Sequence, residues 1–347
     1  MRFYKGAHKH YCGIDLHART MYVCILDREG AVLLHQNLPC DRERFLWAIR
    51  PYREDLVVAV ECIFTWYWLA DLCAGEGIAF VLGHALYMSA IHGAKAKNDR
   101  IDSKKIAELL RGGLIPQAYV YPAQMRATRD EMRRRLLFVR QRGSLLAHIQ
   151  MTHHQYNLPS PGKRITYRAN RDGIGDGFED VSVRDSIAAD LSLVDHYEVI
   201  IGDLELAVVR QARGHDPNSF QLLRSVPGIG KVLALTILYE ICDITRFETV
   251  QQFASYSRLV KCQKSSAGKV LGTSGAKIGN AYLKWAFSEA AVLFLAKCQQ
   301  GKPLLARLER KHGKGKALSI LAHKIGRAVY FMLSRKTAFD MERFLKS

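Results

Sequence analysis

The chain has 347 residues, of which 48% are hydrophobic and 24% are charged. This balance excludes a largely disordered chain, and the length predicts two or three domains rather than one core. Lysine and arginine number 51 against 33 aspartate and glutamate residues, which gives a formal net charge of +18. Such an excess attracts polyanions and favours nucleic acid as a partner. A basic enzyme without a nucleic-acid substrate and a protein that touches anionic membranes are the alternatives.

The N-terminal segment has no apolar run typical of a signal peptide, and no stretch approaches the ~18 apolar residues of a membrane span. We therefore expect a cytoplasmic protein without membrane contact. The eight cysteines include no C-x-x-C pair, so we expect them to be reduced and structural.

The first third of the chain alternates short apolar runs with helical patterns. We predict strands at 11–15, 20–26, 32–38, 56–60 and 78–82, and helices at 42–52, 66–73 and 100–110. The order βββαβαβα is that of ribonuclease H-like domains. It predicts an α/β domain over residues 1–122.

The remainder of the chain is predicted to be helical. Residues 123–212 form a linker domain with a loop at 158–184, and residues 213–347 form an all-α domain with helices at 232–242, 250–256, 280–296 and 316–333. The linker carries a coiled-coil-like seam, which could pair within the chain or between subunits. The seam residues are Ile187, Leu191, Val194, Ile201, Leu204 and Val208.

Four acidic residues occupy positions suited to a metal site. Asp15 and Glu61 each close an apolar strand, and Asp99 and Asp102 lie at the start of a helix, three residues apart and therefore on one face. If the strands are neighbours and the helix packs beside them, the carboxylates converge and their repulsion favours bound Mg²⁺. Two such ions about 4 Å apart can activate an attacking oxygen and stabilise a leaving one on a phosphodiester. Taken singly, each acid could instead be a solvated or helix-capping group.

Basic residues cluster in two helical regions. The first begins at Met125, and we expect its arginines to bind phosphate, with a solvated helix face as the alternative. They are Arg126, Arg129, Arg133, Arg134, Arg135, Arg140 and Arg142. The second comprises residues 307–316 with Lys324, Arg327, Arg335 and Lys336, and it predicts another nucleic-acid surface.

The segment Ser225-Val-Pro-Gly-Ile-Gly-Lys231 resembles the hairpin of helix-hairpin-helix modules. In that interpretation the amides of Gly228 and Gly230, together with Lys231, approach a phosphate at a helix N-terminus. An ordinary interhelical turn is the alternative.

Five segments in order resemble one protein family over almost the whole chain. They are Gly13-Ile-Asp15, Val60-Glu-Cys-Ile-Phe-Thr-Trp-Tyr67, Ala96-Lys-Asn-Asp-Arg-Ile-Asp102, Ser225-Val-Pro-Gly-Ile-Gly230 and Ser265-Ser-Ala-Gly-Lys269. The family comprises insertion-sequence transposases that join a RuvC-like DEDD domain to a serine-containing transposase domain, also called bridge-RNA-guided recombinases. The resemblance implies that Asp15, Glu61, Asp99 and Asp102 bind metal, and that a serine between positions 265 and 269 is the nucleophile.

Counting from Tyr256 and Leu259 places the family's serine on Ser266, with Ser265 as the alternative. The chain departs from the family pattern at Lys261-Cys262, where Pro-Arg is usual, and at Ser266-Ala267, where Ser-Gly is usual. A serine hydroxyl needs a base or a metal to lose its proton, so we expect the carboxylate-bound metals to activate it. We also expect Lys269 to contact nucleic acid.

The resemblance further implies donor and target DNA as substrates, a guide RNA encoded by the element, and a dimer or tetramer whose subunits could share the active site. No ATP-binding motif is present or needed, because a phosphoserine link conserves the bond energy for rejoining. Two other functions stay open: a RuvC-like junction nuclease that uses metal-activated water, and a non-catalytic nucleic-acid-binding protein.

Overall fold

The computed structural model describes residues 2–91, 98–274 and 278–346, and it divides into two compact units, Met1–Ala123 and Gln124–Ser347. The first unit ends one residue beyond the predicted α/β domain. The predicted boundary at 212/213 falls within a continuous helix, and the three-domain division stays a prediction. No helix among the described residues is long and apolar enough to cross a membrane.

A mixed five-stranded sheet forms the centre of the N-terminal unit. Its strands are β1 (His10–Leu16), β2 (Thr20–Leu26), β3 (Val32–Pro39), β4 (Leu56–Glu61) and β5 (Ala79–Gly83), in the spatial order β3-β2-β1-β4-β5. The first three strands are antiparallel, whereas β4 pairs in parallel with both β1 and β5. All five predicted strands are present, and the sheet is consistent with a ribonuclease H-like domain.

Helices cover both faces of this sheet. They are α1 (Arg42–Ile49), α2 (Tyr67–Gly75), α3 (Ala85–Ile91) and α4 (Asp99–Arg111). Because side chains alternate along a strand, Val58 and Val60 of β4 pack in one apolar cluster while Val57 and Ala59 pack in another. Burial on both faces explains why residues 56–60 are a continuous apolar run.

Two long helices, α5 (Ala123–Gln155) and α6 (Val181–His215), begin the C-terminal unit. The side chains of Ile187, Val194, Ile201 and Val208 are buried at intervals of seven residues, which confirms the heptad spacing of the predicted seam. Arg135 bonds Glu205 at 2.7 Å, and His148, farther along α5, bonds Asp190, which lies earlier in α6, at 2.5 Å. The seam therefore pairs in antiparallel fashion within the chain.

The rest of this unit is a helical core around α8, in which every residue from Leu233 to Ile241 is buried. Its helices are α7 (Pro217–Arg224), α8 (Lys231–Ile241), α9 (Val250–Tyr256), α10 (Ala281–Lys297), α11 (Gly301–His312), α12 (Lys314–Arg335) and α13 (Met341–Lys346). A two-stranded hairpin, β6 (Cys262–Ser266) and β7 (Lys269–Ser274), interrupts them. The expectation of an entirely helical C-terminal domain is therefore wrong at these residues, and α3, α7, α11 and α13 were not predicted.

Candidate functional site

Asp15 and Glu61 lie on adjacent parallel strands at the same edge of the sheet. The register pairs Ile14 with Val60, so the next residue of each strand carries a carboxylate at its carboxyl end. Both side chains are half-buried. The strands that carry Asp15 and Glu61 are therefore neighbours, which meets one condition for the four-acid site.

Asp99 and Asp102 begin helix α4, as predicted. The Asn98 side chain caps this helix by accepting a hydrogen bond from the Ile101 amide at 2.8 Å. The predicted motif starts at 96, and its first two residues lie outside the described part of the chain.

Gly13 allows α4 to lie directly on β1. A Cβ atom at this position would lie 2.2 Å from the Ala107 amide nitrogen and 2.4 Å from the Ser103 carbonyl oxygen, both of which are backbone atoms of α4. The glycine of the Gly13-Ile-Asp15 segment therefore has a packing role: it lets the helix that carries Asp99 and Asp102 approach the strand that carries Asp15.

Replacing Gly13 by alanine should therefore destabilise the N-terminal unit, because a backbone contact cannot relax by a change of rotamer. We expect a loss of about 3 kcal/mol in the free energy of unfolding, measured by urea denaturation. Gly75→Ala is the matched control, since a Cβ atom there meets nothing within 4 Å. Equal stability of the two variants would contradict this packing role.

His17 is a member of the cluster that the sequence prediction missed. Its Nε2 atom lies 3.6 Å from Asp15 Oδ2 and 3.3 Å from Asp99 Oδ2. The sequence carried a weak signal, because His17 follows Asp15 by two residues, one position beyond the end of β1. One donor atom each from Asp15, His17 and Asp99 lie within 4.8 Å of one another, an arrangement that could hold a metal ion.

Electrostatic coupling joins the four predicted acids. Burial raises the pKa of Asp15; the charge of His17 opposes this shift, whereas the charges of Asp99, Asp102 and Glu61 add to it. The Lys105 Nζ atom lies 3.7 Å from Asp102 Oδ1 and offsets part of this negative charge. Carboxylate oxygens and an imidazole nitrogen are suitable ligands for a divalent cation, so the residues present fit the expected metal.

Ser266 is the last residue of β6 in the C-terminal unit, and its side chain is exposed. The turn that follows consists of Ala267 and Gly268, which have φ values of 48° and 75°. Positive φ at both central residues is typical of the tight turns that join hairpin strands. Lys269, on the other side of this turn, is also exposed.

The arginines of α5 do not form one exposed surface. Arg126 is buried, Arg129 and Arg133 contact the buried Glu240, and Arg135 and Arg142 bond acids of α6. Arg134 and Arg140 are exposed. Phosphate binding by this helix stays a prediction. At Arg129 and Arg133 the positive charge also serves to pair with the buried Glu240.

The glycines of the predicted phosphate-binding hairpin have different surroundings. Gly228 has a φ of +90°, and a Cβ atom there would lie 2.4 Å from the backbone nitrogen of Phe294 in α10. Gly230 caps α8 without a side-chain bond, and Lys231 Nζ lies 3.7 Å from Glu205 Oε2. Close helix packing thus accounts for Gly228, while phosphate binding at Gly230 and Lys231 stays a prediction.

The second basic region is solvent-facing at the junction of α11 and α12. Residues 310–316 are all exposed and include Arg310, Lys311, Lys314 and Lys316. Lys324 lies farther along α12 and contacts the ring of Phe344 at 4.9 Å. This surface has the exposure that the predicted contact with nucleic acid requires.

A mixed sheet of this order, with Asp15 and Glu61 at the ends of adjacent parallel strands, is consistent with the class of ribonuclease H-like domains. Residues 12–157 match the DEDD transposase domain of the IS110 type, and residues 220–304 match the domain described as "Transposase IS116/IS110/IS902 family". The chain therefore belongs to the IS110/IS116/IS902 family of transposases.

Relatives support this assignment over nearly the full length. The "Transposase for insertion sequence element IS1111A" of Coxiella burnetii is 22% identical over 337 residues, which cover 94% of this chain and 90% of the relative. The "Probable family 20 transposase" of Pseudomonas aeruginosa is 24% identical over 349 residues, which cover 94% of this chain and 97% of that protein.

Proposed function

We propose that this transposase cuts and rejoins DNA through a serine nucleophile, Ser266, assisted by divalent cations held by Asp15, Glu61, Asp99 and Asp102. The observation that carries the proposal is the position of Asp15 beside Glu61 at the ends of adjacent strands, with Asp15 and Asp99 both within 4 Å of His17. The charges of Glu61, Asp99 and Asp102 all act on Asp15. A bound divalent ion would supply the positive charge that activates an attacking oxygen and stabilises a leaving one.

The side chains have distinct tasks in this proposal. The four carboxylates hold the cations, and the cationic residues 310–316 retain the DNA backbone by contacts to phosphate. The Ser266 oxygen forms a bond to phosphorus as the bond to a deoxyribose oxygen breaks. That oxygen leaves with a proton, and the DNA stays linked to the protein as a phosphoserine ester that a second deoxyribose hydroxyl can resolve.

This reaction requires Ser266 and the four acids at one phosphodiester, whether one chain or two copies supply them. Support for Ser266 comes from its exposure at a hairpin turn and from its place within the segment matched to the transposase family, residues 220–304. Guidance by an RNA of the element and assembly into a dimer or tetramer follow from the family resemblance and belong to the proposal.

The direct test incubates the purified protein with Mg²⁺, donor and target DNA, and the RNA transcribed beside its gene. Mass spectrometry of protease digests then locates any DNA-linked residue. A nucleotide on Ser266, dependent on both Mg²⁺ and RNA, is the expected result. Strand cleavage that needs Asp15 but leaves no protein adduct would replace the proposal by a nuclease that uses metal-activated water.

Substitution of His17 tests whether it belongs to the metal site. Imidazole nitrogen favours transition ions over Mg²⁺, so we expect His17→Asn to weaken Co²⁺ binding by at least about tenfold and to change Mg²⁺ binding much less. Isothermal titration calorimetry measures both affinities. His10→Asn, at the opposite end of β1, is the matched control; equal Co²⁺ affinity in all three proteins would exclude His17 as a ligand.

A further inference from the structure

The hairpin that carries Ser266 leaves the helical core after α9 and returns at α10. An isolated two-stranded hairpin is only marginally stable in water. The direction in which Ser266 points therefore depends on how the two ends of the hairpin are held.

Hydrogen bonds to backbone carbonyl groups hold the entering and leaving segments together. The Asn280 amide donates to the Tyr256 carbonyl oxygen at 2.6 Å, and Arg258 Nε donates to the Gly279 carbonyl oxygen at 3.0 Å. Gly279 has a φ of +89°, and a Cβ atom there would lie 2.6 Å from the same Tyr256 oxygen. Such close approach leaves little freedom at the base of the hairpin.

The Asn280 side chain connects this base to the core. It is buried, and its Oδ1 atom caps α10 by accepting from the amides of Tyr282 and Leu283 at 2.9 and 3.0 Å. Its Nδ2 atom donates to Glu240 Oε2 at 2.6 Å. One side chain thus caps α10 and links the segment that follows the hairpin to α8.

Glu240 is 2% exposed and lies on the buried helix α8. It accepts from Arg129 Nε at 3.0 Å and from Arg133 Nε and Nη2 at 2.6 and 2.9 Å. Burial alone would raise the pKa of Glu240, but the hydrogen bond from Arg133, the charges of both arginines and the bond from Asn280 outweigh it and lower the pKa. The carboxylate is therefore ionised and rigidly held.

We infer that Glu240 and Asn280 are positioning residues that fix the Ser266 hairpin to the core for attack on DNA. The inference rests on the proposed role of Ser266. A purely structural role of Glu240, tying α5 to α8, predicts a different result: loss of the carboxylate would loosen the whole core, not the hairpin in particular.

Two conservative substitutions separate these roles. Glu240→Gln removes the charge and keeps the shape. Asn280→Asp keeps an oxygen that caps α10 but replaces the donor to Glu240 by a second carboxylate. Glu198→Gln is the matched control, because Glu198 also bonds a buried arginine, Arg171, but at α6.

Three measurements are made on each full-length variant: hydrogen exchange along the chain, DNA affinity, and the single-turnover rate of the Ser266–DNA adduct at saturating DNA. Relative to wild type, we expect the substitutions to accelerate exchange more at 262–274 than in α8 and α10. The rate of adduct formation should fall by up to about 10²-fold, which is the cost of a slight misplacement of reacting groups. DNA affinity should stay unchanged. The double variant Glu240→Gln, Asn280→Asp lets the introduced amide donate to the introduced carboxylate. It should recover part of the rate.

The outcomes distinguish the inference from the proposed function. Normal exchange and adduct rate in Glu240→Gln and Asn280→Asp would overturn the positioning role, as would exchange that accelerates equally throughout the core. An adduct that persists in Ser266→Ala would instead overturn the proposed function, and with it the catalytic meaning of any loosening of the hairpin.

Discussion

Replacing Ser266 by alanine is expected to abolish the covalent protein–DNA adduct without unfolding the protein. The hydroxyl is the proposed attacking group, and the loss of a nucleophile that acts with its activating groups costs at least about 10³-fold in rate. The side chain is exposed, so its truncation should alter the free energy of unfolding by less than about 0.5 kcal/mol. Denaturing gel electrophoresis with labelled DNA measures the adduct.

Ser265→Ala is the matched control, since it removes the same hydroxyl from the adjacent position of the same strand. The resemblance to the family leaves these two adjacent serines as the candidates for the nucleophile. We expect the Ser265 variant to form the adduct and both variants to bind DNA. The reverse pattern would move the nucleophile to Ser265.

The N-terminal fold could be predicted because its signals are local. Apolar runs predicted all five strands and put Asp15 and Glu61 at strand ends, whereas the adjacency of those two strands comes from the structure. The spacing of His17 to Asp15 is a weak local signal, and its second partner, Asp99, lies 82 positions away in the chain. Only the packing of helix α4 on the sheet brings these residues together.

The Ser266 hairpin could not be predicted from apolar periodicity. The run Cys262-Gln-Lys-Ser-Ser266 has one apolar residue, and it resembles a loop because strand propensity depends on what a strand packs against. The hairpin is fixed instead by a positive-φ turn and by contacts at its base, neither of which leaves a strong sequence pattern.

The arginines of α5 show what a count of charges within one segment cannot predict. Their number predicted a phosphate-binding face, but Arg133 is separated from Glu240 by 107 positions and Arg135 from Glu205 by 70. Counting charges in one segment cannot reveal acids that a distant segment brings to them. Exposed cations, as at residues 310–316, are the better guide to a nucleic-acid surface.

Asp15→Asn should have opposite effects on activity and on the stability of the metal-free protein. Loss of a proposed metal ligand removes several kcal/mol of transition-state stabilisation, about 10³-fold in rate. In the metal-free protein, however, the carboxylate is held by burial and by neighbouring acids in surroundings that raise its pKa. Folding therefore disfavours its charged form, and a neutral amide of the same shape should raise the free energy of unfolding of the N-terminal unit at neutral pH.

The effect of Asp15→Asn on stability should depend on pH. A raised pKa in the folded state means that Asp15 costs no stability below its unfolded pKa, where it is protonated in both states. The cost develops as pH rises towards the folded pKa and is complete above it. The stability advantage of Asp15→Asn should therefore be absent in acid, grow with pH and then level off, as urea denaturation in EDTA can measure.

Adding Mg²⁺ should reverse the order of the two proteins. Cations bound only by the folded state raise its stability by mass action, so wild type should gain stability with Mg²⁺ concentration and Asp15→Asn should gain little. Glu29→Gln, which removes one charge at an exposed turn of the same unit, should respond to Mg²⁺ as wild type does. If wild type were already more stable than Asp15→Asn in EDTA, the four acids would need no cation to relieve their repulsion. That result would contradict the electrostatic argument for a metal site.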